Sequence, residues 1–331
     1  MACNASHNRL IDQSLQLHRM EIPIKQAIAS SKKILLSGLG GGYDIYSAIP
    51  LYFTLRGLGK EVVLTNYSFS YLPASGGERI GDSGWLVTKA SEELGYFPEK
   101  YLIEWLNHLD HTPKLIGFEK TGVVPLRNSL ETICEQEEID TLILVDGGTD
   151  SLMKGDEAGL GTPVEDITGI AAASKLSIKQ QFMVCVGFGI DHFHGVCHSQ
   201  YLENVAELIR NDGFYGVSTF TKSDELGVLF LDLVEYANER GKAHPSIVAN
   251  SIASAVAGQF GNHHATHRTL GSKLYINPLM AVHWFFDLQK VAQHVLYLHA
   301  LEGTQTEEQA LKVIVEYRKT IQPKAWEDIP L

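Results

Sequence analysis

Short apolar runs alternate with longer stretches of helical period along the first two-thirds of the chain. Residues 34–37, 62–66, 115–118, 141–146 and 181–187 predict buried strands. Between them, residues 43–56, 85–110 (broken near Gly95 and Pro98), 126–138 and 164–180 predict helices. The Arg56-Gly57-Leu58-Gly59 run is a helix stop. Upstream, Leu10, Ile11, Leu15, Leu17 and Ile22 outline an amphipathic lead-in over 10–30, interrupted by Pro23. The C-terminal half reads as more helical, over 199–211, 223–240, 245–260, 279–301 and 306–320, with further strand candidates at 211–220 and 273–277. Trp284, Phe285 and Phe286, followed by Val291, Val295 and Leu298, read as a helix core or a dimer face, and a homo-oligomer is expected.

A strand–turn–helix–strand unit of this size suits a right-handed parallel crossover. Its repetition predicts an α/β protein, a Rossmann-like three-layer sandwich with a mostly parallel sheet and a helix-rich C-terminal part. No linker-like composition shift or internal repeat divides the chain. One domain over 1–331 is the economical reading; a helical C-terminal subdomain over 199–331 is the alternative.

Charge narrows the partners. The chain has 331 residues, 27 basic and 39 acidic, for a formal net charge of −12. Such a surface repels phosphate backbones and anionic lipid, so neither nucleic acid nor a membrane is an expected partner. No apolar run approaches the roughly 20 residues that span a bilayer. Cys3, Cys134, Cys185 and Cys197 form no C-x-x-C pair, and the first residues lack an apolar signal core, so reduced thiols and a cytoplasmic location are expected.

The candidate chemistry lies where strands end. Gly38-Leu39-Gly40-Gly41-Gly42-Tyr43-Asp44 follows the first strand. Glycines let backbone N–H groups approach a ligand, and Asp44 can cap a helix, bind hydroxyls or hold a cation. The dinucleotide fingerprint is broken by Tyr43, and the second strand ends in Asn66 rather than an acidic residue, which disfavours NAD. No Gly-Lys-Ser/Thr makes it a P-loop. Asn66 and Ser68 stand at the end of the second strand as specificity candidates. Asp146-Gly147-Gly148-Thr149-Asp150 follows a central strand, where its carboxylates can orient water, hold hydroxyls or coordinate a hard cation. Asp191-His192-Phe193-His194 follows the next one. On an extended segment His192 and His194 would face the same side, and with Asp191 they make an acid–base set. His263 and His267 would share a helix face, and the neighbouring Arg268 offers an anion contact. Asp156 and Glu157 read as a solvated loop. Gly81-Asp82-Ser83-Gly84 is similar to a serine-protease nucleophile segment, but the alternating α/β pattern argues against that fold.

The Gly40-Gly41-Gly42-Tyr43-Asp44 and Asp146-Gly147-Gly148-Thr149-Asp150 turns, with Gly155-Asp156-Glu157 and Thr162-Pro163 downstream, resemble a prokaryotic domain-of-unknown-function family over residues 34–195. The resemblance implies a Rossmann-like α/β fold and no settled activity. Thr149 shifts Asp150 relative to the simpler family pattern.

These features lead us to expect an enzyme acting by hydrolysis or group transfer on a nucleoside-, nucleotide- or phosphosugar-like metabolite. Gly40, Gly41, Gly42, Asp44, Asn66, Ser68, Gly147, Gly148 and Arg268 would bind the small-molecule ligand. Asp150, Asp191, His192 and His194 would carry the chemistry. The cofactor expectation is open, with a divalent cation as the candidate. The alternative is a metabolite-binding regulatory protein without turnover.

Overall fold

The computed structural model describes residues 22–329. The lead-in reading over 10–30 lies mostly outside them; residues 22–30 form turns that bury Ile22, Ile24 and Ile28.

Five parallel strands form the centre of one sheet. They are β1 (Lys33–Gly38), β2 (Glu61–Tyr67), β5 (Leu115–Phe118), β6 (Thr141–Asp146) and β7 (Gln180–Cys185). Their spatial order is β5-β2-β1-β6-β7. The chain moves outward from β1 in one direction, then returns to its other side at β6. This reversal between β1 and β6 is the topological switch point of a doubly wound sheet. The hairpin strands β3 (Arg79–Ile80) and β4 (Gly84–Val87) extend one edge antiparallel. At the other edge β11 (Val282–Asp287) pairs antiparallel with both β7 and β8 (Phe214–Thr219). A separate two-stranded ribbon joins β9 (Gly261–Asn262) to β10 (Tyr275–Ile276).

Period-two alternation assigns the strand side chains to two cores. Ile34, Leu36, Leu64, Ile143, Val145 and Val184 face one layer of helices. That layer holds α1 (Asp44–Ser47), α2 (Ile49–Gly57), α3 (Pro98–His108), α7 (Glu225–Arg240) and α8 (Ile247–Val256). Leu35, Val63, Leu142, Leu144 and Met183 face the other. It holds α4 (Val123–Gln136), α5 (Pro163–Ala173), α6 (His198–Arg210), α9 (Leu288–His294), α10 (Leu298–Leu301) and α11 (Glu307–Thr320). The result is the expected three-layer α/β sandwich.

Three expected elements differ. Residues 84–87 are a strand rather than the start of a helix, because they complete the hairpin against β5; the helix begins only at Pro98. Residues 164–180 do not run as one helix, since α5 stops at Ala173 and Gln180 already belongs to β7. Residues 279–301 are not one helix. Val282–Asp287 fills the slot between β7 and β8, and Asp287 then caps α9 by accepting from the Lys290 N–H. The aromatic run is therefore sheet core, with Phe285 and Phe286 fully buried, rather than an exposed helical dimer face. Both long C-terminal strands, β8 and β11, join the main sheet.

Candidate functional site

The turns after β1, β6 and β7 meet outside the carboxyl edge of the sheet, beside the switch point. They line a cavity of about 330 Å³. Backbone conformation explains the first turn. Gly41 and Gly42 have φ of 94° and 60°, where a side chain is strained, and a Cβ on Gly41 would meet the Phe69 ring at 2.5 Å. Asp44 begins α1 without capping it. Its Oδ2 accepts from the N–H groups of Gly40 (2.8 Å) and Gly147 (3.1 Å), so one carboxylate ties the β1 turn to the β6 turn.

Each remaining acidic group is held by its own local donors. Asp146 ends β6, and its Oδ2 accepts from the Ser151 N–H (3.3 Å) and the Ser151 hydroxyl. Asp150 Oδ2 accepts from Thr162 N–H (2.8 Å) and Oγ1 (3.2 Å). Asp191 Oδ2 accepts from Thr149 N–H (2.6 Å) and Oγ1 (3.2 Å). Asp166, in the first turn of α5, is buried and its Oδ1 has no hydrogen-bond partner among the described residues. Asp44, Asp146 and Asp166 each offer an oxygen, and these atoms lie within 4.8 Å of one another. An all-oxygen set of this kind suits a hard divalent cation.

Five buried carboxyl groups in one floor resist ionisation. Burial pushes Asp44 up to about 7; the Gly147 and Gly40 N–H bonds oppose the rise, and the Asp150 charge adds to it. Burial likewise raises Asp146, Asp166 and Asp191 well above the carboxylate range, with neighbouring carboxylates adding to the effect. Asp150 is raised by burial against the bonds from Thr162. Lys120, His194 and Arg268 supply basic groups to the walls. The Lys120 ammonium stands 4.5 Å from the Phe69 ring centroid, and Lys120 also bonds Glu307 at 3.0 Å.

Gly40, Gly41, Gly42, Asp44, Gly147, Gly148, Asp150, Asp191, His194 and Arg268 all line this cavity. His192 does not. Asp191 to His194 lie on a 3₁₀ turn, where residues two apart diverge instead of sharing a side. His192 faces a second cavity of about 450 Å³, against His198 and Trp326. Asn66 and Ser68 also stand outside the cavity lining. Asn66 donates to the Gly42 carbonyl and the buried Glu99 carboxylate (both 2.7 Å), and Ser68 Oγ accepts from Ser70 N–H, so both brace the turn from behind. His263 is not helical, and Arg268 lies on a 3₁₀ turn, so His263 and His267 share no helix face. Glu157 is fully buried rather than solvated; it accepts from Lys154 N–H, Gly155 N–H and Asn204 Nδ2. Ser83 bonds Ser129 near the distant hairpin.

Sequence reasoning missed Asp166, Lys120, Phe69 and Tyr96. Asp166 follows Thr162-Pro163, and an acidic residue there reads as an ordinary helix-dipole partner. Lys120 was findable, because it follows the carboxyl end of β5, where ligands of such sheets bind.

Fold and cavity together define a Rossmann-like α/β protein with an acid-floored site at its switch point. The chain belongs to the family described as Protein of unknown function (DUF1152), whose profile matches residues 74–320. The first glycine turn precedes the matched region. A comparison with curated proteins finds no match. Among the described residues, no helix is long and apolar enough to cross a membrane.

Proposed function

We propose that this chain is an enzyme that hydrolyses, or transfers a group from, a small nucleotide- or phosphosugar-like metabolite. The observation that carries this reading is the pairing of a carboxyl floor with a basic wall in one cavity at the switch point. Lys120 and Arg268 attract an anionic substituent. The N–H groups of Gly41 and Gly148, without partners among the described residues, add donors for its oxygens. Asp150 and Asp191 each have one oxygen fixed by threonine donors. The other oxygen of each would lie 3.1 Å from a Cβ on Gly148, so both turn toward the same space. The one that is ionised accepts a proton from water or a hydroxyl as it attacks. The His194 ring donates a proton to the leaving group, and exchange with solvent resets both groups.

The test incubates purified protein with nucleosides, nucleotides and sugar phosphates, with and without Mg²⁺, and follows products by mass spectrometry. Turnover of one class, abolished by Asp150→Asn or Asp191→Asn, is the expected result. Turnover that survives both substitutions overturns the assigned roles. A ligand bound tightly and recovered unchanged makes the protein a metabolite sensor instead.

A further inference from the structure

We propose that Asp44, Asp146 and Asp166 form a divalent-cation site of the magnesium or manganese class, and that its cation joins the acidic floor to the anionic substrate. The second half rests on the function proposed above; the cation site itself does not.

The three donor oxygens come from different parts of the chain: the β1 turn, the end of β6 and the first turn of α5. They converge to within 4.8 Å. Opposite ligands of a hard cation lie about 4.2 Å apart for magnesium and about 4.8 Å for calcium, from twice the usual metal–oxygen distances. Neighbouring ligands lie closer than opposite ones, so a bound cation draws the three carboxylates inward from this spread. Asp44 and Asp146 each commit one oxygen, Oδ2, to N–H or hydroxyl donors. Their other oxygens receive no hydrogen bond from the described residues.

A second observation points to a ligand independently. Asp166 is 1% exposed, and its Oδ1 has no hydrogen-bond partner among the described residues. A buried carboxylate oxygen without a donor is costly, and native proteins rarely keep one unless something else satisfies it. Ser47 Oγ is also buried without a partner. A Cβ on Gly147 would lie 3.0 Å from both Ser47 Oγ and Asp44 Oδ1, so the hydroxyl and the Asp44 carboxylate flank the same glycine. Among the described residues, no Lys, Arg or His forms an ion pair with any of the three aspartates.

Two glycines keep this space open. A Cβ on Gly40 would stand 2.5 Å from Asp44 Oδ2 and 2.9 Å from Asp166 Oδ1. Any larger residue at Gly40 would therefore push the two carboxylates. The all-oxygen donor set lacks the thiolate and imidazole ligands that favour zinc. A cation also resolves an electrostatic conflict. An anion drawn in by Lys120 and Arg268 meets carboxylates on the floor, and a divalent ion between them turns repulsion into a bridge.

The test titrates the purified full chain with Mn²⁺ without substrate, following loss of the free-ion electron paramagnetic resonance signal. One Mn²⁺ per chain, displaced by Mg²⁺, is expected. Asp166→Asn should weaken binding by about tenfold or more, because the site loses one of its three charged ligands. Circular dichroism confirms that this variant is folded, and Ser83→Ala serves as a remote control with unchanged binding. Absence of Mn²⁺ binding at millimolar concentrations, or equal binding by folded Asp166→Asn, overturns the site. Binding without turnover of any substrate leaves the site standing and removes the proposed function. Turnover in chelator without Mn²⁺ binding does the reverse.

Discussion

His283 on β11 gives a quantitative handle on how the first glycine turn is anchored. Its side chain is fully buried beside Phe220, and Nε2–H donates to the Ser47 carbonyl at 3.0 Å. Ser47 ends the short helix that begins with Asp44, so this bond holds the helix against the far part of the sheet. Nδ1 is buried without a partner among the described residues, and a proton there would be a charge without compensation. Burial lowers the His283 pKa from 6.5 to about 4, against the small raising effect of the Ser47 bond. Between these values the unfolded chain binds a proton that the folded chain refuses. Stability from this group is therefore present above the unfolded value and is lost as pH falls toward the folded one. The full difference corresponds to about 3 kcal/mol, and to about 2 kcal/mol between about pH 7.5 and about pH 5.

The measurement is urea unfolding of wild type and His283→Gln at both pH values. Glutamine keeps a donor and cannot titrate. Groups shared by the two proteins cancel in the difference. The stability advantage of wild type over the variant should shrink by about 2 kcal/mol on going to the lower pH. An advantage constant within about 0.5 kcal/mol would refute the assignment of a buried, neutral His283.

Three further outcomes follow from the site. Gly161 has φ of 69°, and a Cβ there would lie 2.3 Å from Asp150 Oδ2, so Gly161→Ala should displace that carboxylate, cost about 1–3 kcal/mol in thermal or urea unfolding and, on the proposed function, lower kcat. On the proposed function, Lys120→Ala removes an anion-attracting charge and frees its partners Glu307 and Glu165 while leaving the five aspartates in place, so steady-state kinetics should show KM rising more than kcat falls. Glu157→Ala leaves two backbone N–H groups and Asn204 Nδ2 without their acceptor and should cost about 2–4 kcal/mol in urea unfolding, with cavity residues left in place.

Much of this fold is legible because its strands are short, apolar and punctuated. The glycine turns at 40–42 and 147–148 stand at the carboxyl ends of β1 and β6, and the switch-point rule alone brings Asp44, Asp150 and Asp191 together. The failures have local causes. Val282 to Phe286 is apolar enough for helix or strand, and only the open slot between β7 and β8 decides it. His192 and His194 separate because a 3₁₀ turn replaces the extended backbone assumed for them. Asn66 points into a buried network with Glu99 that no spacing announces. Asp166 joins the site through the placement of α5 across the sheet, a tertiary fact with no sequence-local signature.

The position of β11 has a cost during synthesis. β7 is complete at residue 185, but the strand that covers its outer edge begins at residue 282, roughly 100 residues later. At ribosomal speeds of about 5–20 residues per second, the nascent chain carries an unpaired, apolar edge for about 5–20 seconds. During that interval Phe182 and Val184 offer a template to any other emerging strand. The chain therefore stays exposed to pairing with other chains for longer the slower it is translated.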